Sequence, residues 1–294
     1  MKKAILISFL LCVCNPLFSQ VYYKELLKKT EEVLAKIDDT KPNGWTKVGS
    51  LIFLANQVSY TNWMAGGQGS VSGNIGLNYD LNYKNDTWNW DNKLIAGYGL
   101  NKLKGQELQK SDDRIQLSSL LGKKASGEWF YSAFFNFKSQ FDSGFESGVK
   151  TSHFLSPVYV QFGPGMLWKK SNNLKINIAP LSSKLIAVDS KFTATGPSFG
   201  VEQGKSRRYE FGTAVNSYYK FVLMENVNIE NILNLYSNYL DRPKNVDIDY
   251  TLNVAMKVNK YLSTNLAFQT IYDDNAFAGF QTRQVLGLGV NYDL

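Results

Sequence analysis

From Trp45 to the last residue, Leu294, side-chain polarity alternates with a period of two, and no other feature of the chain limits its fold so sharply. Between Val71 and Tyr83 the odd positions are Val71, Gly73, Ile75, Leu77, Tyr79, Leu81 and Tyr83, while the even positions are Ser, Asn, Gly and Asp. Between Val246 and Asn259 the apolar residues take the even positions and Asp247, Asp249, Thr251, Asn253 and Lys257 stand among the odd ones. Trp88–Leu100, Trp129–Phe137, Val227–Tyr239 and Leu262–Tyr272 repeat the pattern. Successive side chains of a strand point to opposite faces, so each segment is a strand with one apolar and one polar face.

About twelve such strands fit between Trp45 and Leu294, several longer than soluble sheets use. The connections predict how they are joined. Thr61–Gly67, Leu103–Asp112, Asp142–Ser156, Ala187–Arg207 and Asp273–Gly279 are the longer ones, and Asp241–Asn245 is intermediate. They alternate with tight turns at Lys84–Thr87, Lys124–Gly127, Lys170–Asn173, Glu225-Asn226 and Asn259-Lys260. Short turns at one end and long loops at the other are the layout of an outer-membrane barrel. We therefore expect an all-β fold: a closed, up-and-down, antiparallel transmembrane barrel of about twelve strands, preceded by a short helix. The chain also stops on a strand, Leu286 to Leu294, which resembles the terminal strand read by barrel-assembly machinery, with Leu294 in place of the commoner aromatic.

A barrel accounts for the composition. The mean hydropathy is −0.24, which looks soluble, yet the chain holds 6 Trp, 17 Tyr and 18 Phe. In a closed barrel every backbone polar group pairs with a neighbouring strand and only alternate side chains meet lipid. Half of each strand is then free to be polar, while aromatics line the two interfaces. We expect Tyr83, Trp88, Trp90, Trp129, Trp168, Tyr218, Tyr219, Tyr236 and Tyr239 in those girdles.

The opposite face should line the interior. There Lys84, Lys93, Arg114, Lys138, Lys175, Arg208, Lys220, Lys257 and Arg283 stand against Asp80, Asp91, Glu210, Glu230, Asp247, Asp249, Asp273 and Asp293. Nine against eight supports no single-sign selectivity ring. Asp80, Lys93, Arg114, Glu210, Lys220, Asp249, Lys257 and Arg283 are the candidate lumen charges, expected to pair within a narrow, filled bore because buried charges need partners.

Residues 1–19 read as a secretory signal peptide: Lys2 and Lys3, then the apolar run Ala4–Cys14, then Pro16–Ser19. Both cysteines, Cys12 and Cys14, lie inside it, so the mature chain would have no disulfide, thiolate metal site or cysteine nucleophile. Cleavage takes Lys+Arg from 32 to 30 against 25 Asp+Glu, leaving +5. That modest, unclustered excess gives no reason to expect a nucleic-acid partner. Residues 20–44 form a second segment, with Tyr23, Leu26, Leu27, Leu34 and Ile37 at helical spacing and Pro42-Asn43-Gly44 ending the pattern. A periplasmic amphipathic helix resting on the barrel is expected, with a plugging helix as the sharper alternative. Residues 45–294 are the barrel.

Little in the chain speaks for catalysis. The single histidine, His153, has Ser152 and Ser156 nearby, but the sequence fixes no third member. We expect no enzyme, no cofactor and no metal. Gly163-Pro164-Gly165 reads as a kink or bulge in a strand.

The segment Asn62–Gly67 (NWMAGG), with Asn56-Gln57 before it and Gly69–Gly76 after it, resembles an uncharacterised outer-membrane family of Bacteroidota, a domain of unknown function numbered 3078 in its series. Trp45, Trp88-Asn89, Tyr98-Gly99 and Asp112-Asp113 extend the resemblance over residues 45–150. It implies a barrel in the outer membrane and supplies no substrate. Asn62, Trp63, Gly66 and Gly67 read as a Gly-Gly turn beside an interfacial tryptophan, or as a ligand or partner site. The function expected is small porin-like permeation or a structural or assembly role in the envelope. Outer-membrane lipid, the assembly machinery and a further envelope protein are the expected partners. The alternatives are a barrel-embedded lipid- or envelope-modifying hydrolase and a secreted β-sandwich binding protein.

Overall fold

A computed structural model describes residues 43–59, 69–146, 148–259 and 262–293. The signal peptide, the helix of residues 20–44 up to residue 42, and the motif Asn62, Trp63, Gly66 and Gly67 lie outside them.

Almost all of the described chain is strand. The strands are β1 (Gly44–Val58), β2 (Ser70–Lys84), β3 (Trp88–Leu103), β4 (Gln109–Ser126), β5 (Trp129–Ser139), β6 (Gly144–Glu146) and β7 (Val149–Ser152). They continue as β8 (Val158–Ser171), β9 (Leu174–Ala187), β10 (Arg207–Met224), β11 (Val227–Asn238), β12 (Val246–Lys257), β13 (Leu262–Asp273) and β14 (Phe277–Asp293). One turn of helix, α1 (Ser190–Thr193), follows β9.

Twelve of the strands close into one antiparallel barrel in the order β1-β14-β13-β12-β11-β10-β9-β8-β5-β4-β3-β2. Every strand neighbours the next in sequence, and β6 and β7 form a separate hairpin inside the β5–β8 loop. The closed, antiparallel, up-and-down barrel of twelve strands is the one expected. Closure gives each strand a neighbour on both sides, with the β1–β14 seam short at five residue pairs, and so satisfies the backbone without a second sheet.

The two ends differ as the sequence predicts. One end carries the tight turns, such as Glu225-Asn226, where Asn226 takes φ 66°, a conformation asparagine tolerates. The other carries the long connections 140–157 and 188–206. The β13–β14 connection departs from expectation: it is short, 274–276, not a long loop. The Asp273 carboxylate accepts from the backbone N–H groups of Asn275 and Ala276 (3.1 and 3.3 Å), which tightens the turn.

Outward-facing residues form three belts. Around the turn end lie Trp45, Tyr83, Trp88, Trp90, Trp129 and Trp168. Trp45 packs on Tyr83 at 5.2 Å and on Trp90 at 5.7 Å. Around the loop end, Phe211 meets Tyr239 edge-on at 6.1 Å and Tyr272 meets Phe280 at 5.2 Å. Between them Phe53, Phe135, Phe162, Ile178, Leu286 and Leu288 stand exposed. Two of the nine expected girdle residues are corrected. Tyr218 faces inward because its neighbour Tyr219 takes the outward position, and Tyr236 faces inward, buried with Phe134, Ala179 and Ala214.

The Gly163-Pro164-Gly165 reading is also observed: register slips between Phe162 and Met166. A Cβ at Gly163 would overlap the carbonyl oxygen of Leu181, and one at Gly165 would crowd the backbone of Ile178 and Ala179. The glycines let β8 approach β9 while inward-facing Phe134 packs beside them.

Candidate functional site: the bore of the barrel

The interior is crossed by ion pairs. Lys93 on β3 places Nζ 2.9 Å from Glu230 Oε1 on β11 and 3.3 Å from Asp80 on β2. β3 and β11 are six strands apart whichever way the wall is followed, so this bridge spans the full width of the bore. Glu230 also accepts from the Tyr218 hydroxyl (2.8 Å) and from Asn253 Nδ2 (2.8 Å). Charges withdrawn from water need such complete satisfaction, since an unmatched one costs several kcal/mol.

Further bridges follow along the bore. Toward the turn end, Asp91 on β3 takes Lys169 from β8 (3.0 Å) and Lys175 from β9 (2.8 Å). In the middle, Ser132 donates to Asn177, Asn177 to Asn216 and Asn216 to Asn234, beside the apolar cluster of Phe134, Ala179, Ala214 and Tyr236. Toward the loop end, Lys138 on β5 pairs with Asp249 on β12, which also accepts from Gln269. Lys184 gathers Asp247 (2.8 Å), Asp273 (3.3 Å) and the fully buried Glu210 (3.3 Å), with Arg208 on Glu210 at 2.7 Å. Arg283 on β14 reaches Asp112 on β4 at 2.6 Å, with Arg114 close by.

Of the eight candidate charges, Asp80 and Lys93 meet in one cluster, while Arg114 and Arg283 share Asp112. Asp249 takes Lys138, and Glu210 sits in the Lys184 group. Lys220 lies opposite Glu230 in the β10–β11 register, and Lys257 opposite Ser263 in the β12–β13 register. The sequence reading missed Lys184. Lys175 and Asn177 are inward at odd positions, but the register slips beside Pro180, after which the even positions Ser182, Lys184 and Ile186 face in. The signal was Pro180 itself, since proline inside a strand marks a bulge.

The carboxylates of Asp247, Asp273 and Asp274 come within 4.8 Å of one another. Lys184 faces the first two, and Arg242 binds Asp274 at 2.7 Å, so cations already sit among them.

The loop end is closed over in part by connection 188–206. Its Val201 is fully buried and packs, with Val188 and Phe199, on inward-facing Ile186 and Tyr159. His153 ties this connection to the β5–β8 loop: Nε2 lies 2.9 Å from Asp189 Oδ2 and Nδ1 2.8 Å from the Phe154 carbonyl. The hydrogen bond to His153 holds the Asp189 carboxyl below the usual carboxylate range, helped by the Lys191 N–H. The neighbouring serines serve elsewhere: Ser152 Oγ accepts from Gln140 and Ser156 Oγ from the Asp189 N–H. The hydrolase alternative thus finds His153 facing two acceptors and neither serine hydrogen-bonded to its ring.

The described chain defines a class: a closed twelve-stranded antiparallel barrel with an ion-bridged interior and an apolar outer belt. Residues 55–145 match a family model described as Protein of unknown function (DUF3078), within the stretch where the sequence resemblance lies. No curated protein matches the chain. Among solved structures, the translocator domain of autotransporter NalP from Neisseria meningitidis is similar at 10% identity and a TM-score of 0.33, covering 93% of this chain and 97% of that one. An outer membrane channel from Pseudomonas putida F1 gives 9% and 0.39, over 86% and 96%. OprB of Pseudomonas putida gives 10% and 0.28, over 85% and 94%. The strand pairing, independently of these likenesses, establishes the barrel.

Proposed function

We propose that this chain is an outer-membrane barrel with an occluded bore, serving a structural or assembly role in the envelope more than free permeation. One observation carries the reading: Lys93 and Glu230, from opposite walls, meet at 2.9 Å across the turn-end half of the bore. The outward belt of Phe53, Phe135 and Leu286 between two aromatic girdles supports a lipid setting. On this reading residues 1–19 direct export and are removed, residues 20–44 lie in the periplasm, the tight turns face the periplasm, and the source is a member of Bacteroidota. The assembly machinery and a further envelope protein are its partners, and catalysis is no part of its role. Porin-like permeation keeps one supporting observation, the 36% exposure of the Lys138 side chain, which lets solvent into the loop-end half of the bore.

The test is reconstitution. Folded protein, recognised by a heat-dependent shift in gel mobility, should require detergent or lipid and leave proteoliposomes impermeable to small sugars. Solubility without detergent would overturn the membrane reading, and rapid sugar uptake would overturn occlusion.

A further inference from the structure

We infer that Arg114 and Arg283 form an oxyanion-binding site on the inner wall near the loop end. Two guanidinium groups converge there on a single carboxylate, Asp112: Arg283 Nη2 at 2.6 Å and Arg114 Nε at the long distance of 4.0 Å. Each arginine then has a buried N–H donor with no acceptor, Nε of Arg114 and Nη1 of Arg283. Elsewhere in the bore the lysines Lys93, Lys138 and Lys184 each have carboxylates within bonding distance, and Lys184 has three. This cluster alone among those described combines an excess positive charge with unpartnered donors. A carboxylate or phosphate oxygen matches both, because the planar guanidinium fork binds such groups in pairs of charge-assisted hydrogen bonds.

The wall is shaped to admit Asp112 and Arg114 side by side. Arg114 lies opposite Gly97 in the β3–β4 register, and a Cβ on Gly97 would come within 2.9 Å of Asp112 Oδ2 and 3.1 Å of Arg114 Nε. Any side chain there would fill the space the two groups occupy. On β14, Arg283 stands six residues from Gly289, where the shortest seam of the barrel begins. β14 pairs with β1 over only five residues, Gly289 to Asp293, whereas the other seams run through ten or more. The Arg114 and Arg283 side chains keep 22% and 29% of their surface exposed, so a free oxyanion or the carboxylate head of an acyl chain reaches them from solvent.

Calorimetric titration of the full chain in non-ionic detergent, with inorganic phosphate and separately with laurate kept below its micelle concentration, tests this. Saturable binding of phosphate assigns a free oxyanion, and saturable binding of laurate alone assigns an acyl-chain carboxylate. Either must weaken by about tenfold in both Arg114→Lys and Arg283→Lys, which keep the charge and lose the fork. The heat-dependent gel shift confirms that the variants fold. Binding of neither probe, or binding unchanged in both variants, overturns the site.

Discussion

Lys93 satisfies two carboxylates at once, one on the adjacent strand and one across the full width of the bore. Removing it leaves Glu230, nearly sealed from solvent, without a cation. Lys93→Ala should lower stability by about 3–5 kcal/mol in urea unfolding from lipid vesicles. Lys93→Met combined with Glu230→Leu should lose much less, since exchanging both partners leaves no stranded charge. A double variant as unstable as the single one would show that the bridge is not the source of the loss. The same scale explains what the sequence could disclose. Parity along an uninterrupted strand identifies Lys93 and Glu230 as inward; it cannot say that they meet, because contact across a barrel depends on strand count and stagger.

At the scale of elements, the alternation is legible wherever a strand runs without a slip, as in β2 and β12, and fails where a bulge shifts the register, as beside Pro180. The close approach of β8 and β9 depends on Gly163. Gly163→Ala forces a Cβ into the Leu181 carbonyl and should destabilise the folded barrel by about 1–3 kcal/mol. Urea midpoints equal to those of the parent would contradict the packing described. The latch between the two long loops has its own signature. Asp189 is held below the ordinary carboxylate value, so the stabilisation it supplies is present above pH ~4 and lost as pH falls through its folded-state value. Hydrogen-exchange protection in 188–206 should therefore drop on acidification below that range. His153→Ala should lower it already at neutral pH. The sequence offered His153 but not Asp189, since the two lie on different loops and only the barrel brings them together.

For the molecule as a whole, the strand pattern, the long and short connections and the outward apolar residues all follow from the period of two, which is why the architecture is readable from the chain. The state of the bore is not, because nearly equal numbers of opposite charges suit a filled interior and a neutral channel alike. The filled interior proposed above rests on opposite walls joined by Lys93 and Glu230, and by Lys138 and Asp249 nearer the loop end. The most direct test is the conductance of the full chain in planar bilayers, with insertion verified on the same preparation. The account predicts no sustained current from the parent protein and stepwise openings when Lys93→Ala and Glu230→Ala are combined with Lys138→Ala and Asp249→Ala. Steady open-channel current from the parent protein would contradict it.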